Sequence, residues 1–206
     1  MRCLMSVIGL CCATSVAATG ETVLTVPGYA NPYLAGMDPG ATASRGDTAP
    51  EQSPILLMDF DIGPGDVLRI TATGSVSNTS GPSGVGPDGG AILEHYDGAT
   101  NGLSGIAAPI NSLLGVFLGA GVPANPPDDL KYLTAEARNF TSFAPALGQV
   151  FFVGDGLDGA GARQQFIVPH NAKRLYLATM DGFGWYNNSG AFEVTVGHVG
   201  LTQQGD

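Results

Sequence analysis

Basic residues are scarce in this 206-residue chain: eight Lys and Arg stand against eighteen Asp and Glu, a formal net charge of −10. The eight are scattered, and a surface that tracks phosphates needs clustered positive charge. The composition therefore argues against nucleic acid and against anionic membrane as partners. Charged residues of both signs make up only 13%, too few for long solvated amphipathic helices. All three cysteines, Cys3, Cys11 and Cys12, lie in the first twenty residues. The rest of the chain thus has neither a disulfide framework nor thiolate chemistry. Only three histidines occur, His95, His170 and His198; they show no zinc-ligand spacing, and no nucleophile-elbow pattern accompanies them. His170, after Pro169, reads as a turn residue and His198 as part of an exposed tail. Nothing here supports an enzyme.

What the chain has instead is glycine (31) and proline (14), the punctuation of many short strands. Residues 1–18 read as a signal peptide. Met1-Arg2 is a short positive start, Cys3–Ala18 is small and apolar, and Val16-Ala17-Ala18 offers a cleavage site near Ala17 or Ala18. That implies a secreted or periplasmic protein. The run is short for a membrane span. Residues 19–54, with Pro27, Pro32, Pro39, Pro50 and Pro54, read as an extended arm carrying one short strand at Thr22–Val26. Arg45-Gly46-Asp47 within it reads as a loop.

From Ile55 the texture changes. Strands are expected at Ile55–Asp61, Val67–Thr73, Leu113–Leu118, Val150–Val153, Gln165–Val168, Arg174–Met180 and Ala191–Val196, several with period-2 alternation. Gly63-Pro64-Gly65-Asp66 is a turn, Gly74–Ala91 a long loop, and 119–148 an irregular insertion with a helical turn at Thr134–Arg138. The fold class is all-β: an antiparallel β-sandwich, jelly-roll or galactose-binding-like, with long irregular insertions. It spans 55–197, followed by a tail at 198–206.

The loop Asp181–Gly190 presents one carboxylate (Asp181), two side-chain amides (Asn187 and Asn188) and several backbone carbonyls. All are oxygen donors, the set a hard cation such as Ca²⁺ takes. Glycines at 182, 184 and 190 let the backbone curl. Asp, Asn and Gly are equally the residues of an ordinary turn. Trp185 admits two readings: an indole laid against the apolar face of a sugar, or core filling.

Three segments resemble, in order, the family of the PA-I galactophilic lectin, a calcium-dependent bacterial galactose-binding sandwich. They are Pro64-Gly65-Asp66-Val67 through Gly74 with Gly81-Pro82 and Gly86-Pro87; Glu94-His95-Tyr96-Asp97-Gly98; and Asp181 through Tyr186-Asn187-Asn188-Ser189-Gly190 to Phe192. The resemblance implies a bacterial protein that binds galactose or a related glycan through Ca²⁺, with sugar hydroxyls completing the metal's shell. Asp181, Asn187 and Asn188 match the side-chain ligands, and Gly184 or Trp185 and Ser80 match the carbonyl ligands. His95, Asp97, Asp181, Gly182, Trp185 and Asn187 fall at the sugar. The chain departs from the family pattern in a 181–187 segment one residue shorter and in Gly98, where the family has Gln. The alternative function is an exported structural or matrix protein that uses calcium for stability only. Two weaker acidic pairs remain: Asp59 and Asp61, expected on one strand face, and Asp155 and Asp158, a second calcium loop or a plain turn.

Overall fold

The computed structural model describes residues 20–43, 46–80, 84–91 and 95–200, the side chains of 95–97 excepted. The signal peptide expected at 1–18 and most of the tail at 198–206 lie outside these residues. In chain order the strands are β1 (Thr22–Pro27), β2 (Ile55–Leu56), β3 (Val67–Ser77), β4 (His95–Asp97), β5 (Ile106–Ala108), β6 (Leu113–Leu118), β7 (Leu130–Lys131), β8 (Ser142–Phe143), β9 (Val150–Phe152), β10 (Gln165–Ile167), β11 (Arg174–Thr179) and β12 (Ser189–His198). One short helix, α1 (Ala135–Arg138), precedes β8.

Two sheets face each other. One has the order β1-β12-β3-β10-β8 and the other β2-β11-β6-β9. The main seam is the antiparallel pairing of β3 with β12, which runs from Ser77↔Ser189 to Leu68↔His198. Period-2 alternation sends Leu68, Ile70, Ala72 and Val76 of β3 and Phe192, Val194 and Val196 of β12 inward. They meet Leu113, Phe117, Phe151, Phe166, Leu175 and Leu177 in a common core. Each of these side chains larger than alanine contributes about 1.5–3 kcal/mol by leaving water. The protein is a β-sandwich, antiparallel except where β8 joins β10, as the sequence implies in the main.

A second core covers the far face of the four-stranded sheet. Leu114, Val116 and Leu118 of β6, with Tyr176, Ala178 and Met180, pack there against Tyr33, Leu103, Ile106, Ala108 and Trp185. The third layer comprises the N-terminal segment, the small sheet β4-β5-β7 and the 181–190 loop. This explains why all six residues of β6 are buried: a strand covered on both faces reads as a continuous apolar run.

Several expectations are corrected. The strand expected at Thr22–Val26 is present as β1, paired along its whole length with β12, but the segment around it is not a free arm. It also buries Val26, Ala30, Tyr33 and Leu34. The strand expected at Ile55–Asp61 shrinks to Ile55–Leu56, because Asp59 takes a left-handed φ of 54° that breaks extended geometry. Asp59 and Asp61 therefore share no strand face. His198 is not in an exposed tail; it ends β12, stacked on Phe60 at 4.6 Å and 3.4 Å from Asp66. The insertion 119–148 is only partly irregular. β7 joins the small sheet, β8 pairs parallel with β10, and α1 forms where the helical turn was expected, capped by the Thr134 side chain.

Candidate functional site

The 181–190 loop leaves β11 and enters β12 at the end of the sandwich where β3 stops and β6 begins. Register places the neighbours. Leu113 pairs with Thr179 and Asn111 donates its N–H to the Met180 carbonyl at 2.8 Å, so Asn111 stands beside Asp181. Ser77 pairs with Ser189, which brings Asn78 opposite Asn188. The Ser189 hydroxyl donates to the Thr79 carbonyl at 2.8 Å and ties the 78–80 bend to the loop. An amide–amide hydrogen bond of 3.3 Å from Asn111 Nδ2 to Asn78 Oδ1 links the two sheets at this mouth.

Asp181 is nearly buried, and its Oδ1 accepts the N–H groups of Gly182 (2.6 Å) and Phe183 (3.0 Å). Gly182 is half-buried and Gly184 buried. Trp185–Asn187 then form one 3-10 turn, closed by the Asn188 N–H donating to the Trp185 carbonyl at 3.0 Å. Asn187 is exposed; Asn188 is buried. Its amide nitrogen donates to the Gly28 carbonyl at 3.1 Å, while its Oδ1 has no partner among the described residues. Gly28 must be glycine, because a Cβ there would sit 2.5 Å from the Ser189 carbonyl oxygen.

Trp185 takes the core reading. Its indole is fully buried, donates Nε1–H to the Thr179 carbonyl at 2.8 Å and meets Tyr33 edge-on at 6.2 Å. The expectation that it lies against a sugar is overturned: the third layer encloses the ring. The exposed rings of the loop are Phe183 and Tyr186, 60% and 59% accessible. Ser80 is exposed at the end of the bend tied to this loop. His95 and Asp97 lie on β4, which pairs with β5; their side chains fall outside the described residues.

Sequence reasoning missed three contributors. Asp47, in the Arg45-Gly46-Asp47 segment, is fully buried. Its Oδ2 accepts from Trp185 N–H (2.9 Å) and Asn31 Nδ2 (2.9 Å), and its Oδ1 from Tyr186 N–H (3.1 Å). It pins the 3-10 turn from 138 residues away, and no local pattern announces that. Asn78 sat in a segment read as a loop, and Asn111 just before the strand expected at Leu113–Leu118. Asn111 is buried with φ 66°, a conformation Asn tolerates better than most residues.

These residues fit a hard cation. Six buried side-chain polar atoms lack a partner among the described residues, and three of them belong to this mouth: Asn111 Oδ1, Ser112 Oγ and Asn188 Oδ1. Each costs about 1–3 kcal/mol while unpaired. The buried carboxylates Asp47 and Asp181 have no ion pair among the described residues, where the one found joins His198 and Asp66. Nor do three or more His, Cys, Asp or Glu residues there form a metal cluster. A metal at this mouth would be held chiefly by amide and carbonyl oxygens beside one carboxylate, chemistry that suits Ca²⁺ and not zinc.

The remaining acidic pair is a turn. Asp155 Oδ1 accepts from Leu157 N–H and Asp158 Oδ1 from Ala160 and Ala162 N–H. Beside it lies an open groove of about 550 Å³ lined by Asp88, Glu136, Arg138, Phe152, Asp155 and Asp158, among others. The insertion thus walls this groove through α1, and no residue of the 181–190 loop lines it. Partial burial, together with Asp88, holds the Asp155 carboxyl above its ordinary range.

No protein family matches the sequence, and no curated protein does. Among solved structures the chain is similar to one described as "EclA N-terminal domain; PllA-like lectin". The two are 17% identical over 86% of this chain and 95% of that one, with a TM-score of 0.40. Likeness at that level decides nothing about the site. No helix among the described residues is long and apolar enough to cross a membrane.

Proposed function

We propose that this protein binds carbohydrate through a calcium ion held at the mouth between β11 and β12, and that it is not an enzyme. The observation that carries the reading is the layering of the loop. A nearly buried carboxylate, Asp181, and a buried amide oxygen without a partner, Asn188 Oδ1, lie beneath exposed Asn187, Phe183 and Tyr186. Calcium takes six to eight oxygens, so a few protein donors leave places that vicinal hydroxyls fill. An exposed ring beside them offers a face for the C–H side of a pyranose. The matching segments in the sequence favour galactose or a related glycan. They also favour export from a bacterial cell, with cleavage near Ala17 or Ala18.

On this reading Asp181, Asn187 and Asn188 hold the ion by side-chain oxygens, with the Gly184 or Trp185 and Ser80 carbonyls as further donors. Gly182, Asn187, His95 and Asp97 lie toward the sugar. The ion supplies Lewis-acid contact to the hydroxyls; the protein fixes the donors beforehand.

Titration calorimetry with galactose and a panel of other monosaccharides, with calcium and with a chelator, tests this. Heat of binding is expected only with calcium, and Asp181→Ala is expected to abolish binding of both ion and sugar. No heat from any sugar in the presence of calcium defeats the carbohydrate reading. A calcium-dependent rise in Tm without sugar binding would point instead to calcium as a purely structural ion.

A further inference from the structure

We infer that Asn111 is a further ligand of the cation, contributing its side-chain oxygen alongside Asp181 and Asn188, with Asn78 fixing the orientation of its amide. The inference rests on the calcium reading above and adds a donor from outside the loop, two residues before β6, the strand that pairs with β11.

Three observations converge. Asn111 is 5% exposed, and its Oδ1 has no hydrogen-bond partner among the described residues. Its backbone N–H is bonded to the Met180 carbonyl, one residue before Asp181, so the turn that enters β6 holds it beside Asp181. Its Nδ2 is committed to Asn78 Oδ1 at 3.3 Å. That bond leaves the oxygen as the amide's free end. Asn188 is built the same way: nitrogen anchored on a backbone carbonyl, oxygen unpaired. An amide whose donor end is tethered and whose acceptor end is left bare in a buried place is preorganised for a cation, which accepts from oxygen and repels N–H. Most core amides that serve structure alone have both ends satisfied; among the described residues Gln164, away from this mouth, shares the tethered nitrogen and unpaired oxygen.

Asn111 also answers a need of this sequence. The 3-10 turn uses the Trp185 carbonyl to accept the Asn188 N–H. A donor in the turn before β6 supplies an oxygen that the loop does not have to reach out and provide.

The test is calcium affinity by calorimetry, together with the Tm shift on adding calcium, for the full chain and three variants. Asn111→Gly keeps the left-handed backbone free of strain and removes the oxygen. It is expected to weaken calcium binding by about ten- to a hundredfold while the calcium-free Tm is unchanged or higher. Asn111→Asp keeps the shape and adds charge, and is expected to bind calcium more tightly than the parent. Asp181→Ala is expected to lose calcium. If Asn111→Gly binds calcium within twofold of the parent while Asp181→Ala has lost it, the Asn111 inference fails and the calcium reading stands. If Asn111→Asp binds more weakly than the parent, the inference fails likewise. If the parent binds no calcium, both fall together.

Discussion

Replacing Asp47 by Ala should destabilise the protein by removing the anchor of the 181–190 loop. Asp47 is fully buried and accepts three hydrogen bonds, from Asn31 Nδ2 and from the N–H groups of Trp185 and Tyr186. Alanine leaves two backbone donors and an amide facing an apolar methyl. Hydrogen bonds to an ionised acceptor contribute roughly 1.5–3 kcal/mol each, and a stranded buried donor costs about 1–3 kcal/mol. Relief of the carboxylate's own desolvation offsets part of this, so the net cost is about 3–5 kcal/mol. For a chain of this size that is a Tm drop of roughly 6–20 °C. Asp47→Asn keeps the shape and one acceptor but turns an NH₂ group toward at least one N–H, so it should cost about 1–3 kcal/mol. Urea unfolding with an unchanged m-value measures both. Since the loop loses its anchor, calcium affinity should fall in the same order, Ala below Asn below parent. An Asp47→Ala variant within 1 kcal/mol of the parent would refute the claim that this carboxylate holds the loop.

Other outcomes follow from the same geometry. Trp185→Phe loses the bond to the Thr179 carbonyl and some packing against Tyr33, and should cost about 2–4 kcal/mol by chemical denaturation. Tyr186→Ala removes an exposed ring and should leave stability within about 0.5 kcal/mol, while weakening sugar affinity in calorimetry. Gly156 has φ 80°, and a Cβ there would collide with the Ile70 carbonyl; Gly156→Ala should lower stability by at least about 2 kcal/mol. Asp155 titrates above the ordinary aspartate range because burial and Asp88 disfavour its charge. A raised carboxyl pKa means the folded state holds the proton longer than the unfolded one. Stability from this group therefore declines as pH rises from the ordinary aspartate value through the raised one. Asp155→Asn should flatten that slope in pH-dependent melting and raise the neutral-pH Tm by no more than about 2 °C, since the group is only partly buried and solvent screens it.

The strands of the main sandwich were legible because alternation follows directly from a sheet with one face in the core. β3, β6, β11 and β12 lie where Leu68-Ile70-Ala72, the apolar run 113–118, Arg174–Met180 and Phe192-Val194-Val196 place them. The third layer was not legible. Its apolar residues, such as Tyr33, Leu103 and Trp185, sit singly in segments full of Gly and Pro, and no periodicity marks a residue that is buried by a loop. This is why Trp185 remained open between two roles until its ring was found enclosed. The loop Asp181–Gly190 was visible as a cluster of oxygen-bearing residues. Which oxygens are bare was not visible, because that depends on partners far away in the chain: Gly28 takes the Asn188 nitrogen and Asn78 takes the Asn111 nitrogen.

Those distant partners change what the N-terminal segment is. Gly28 accepts from Asn188 and from the Thr179 hydroxyl, and its own N–H donates to the Gly190 carbonyl. Tyr33 packs on the indole of Trp185, and Asp47 holds the turn that follows. A loop of ten residues with three glycines would spend much of its time elsewhere if left to itself, since each residue fixed costs about 1–2 kcal/mol of backbone entropy. Here the ordering is done by contacts made on folding, before any ligand arrives, so that binding need not supply it. The segment that reads in sequence as a proline-rich arm is thus the scaffold of the candidate site, joined to the loop by these contacts.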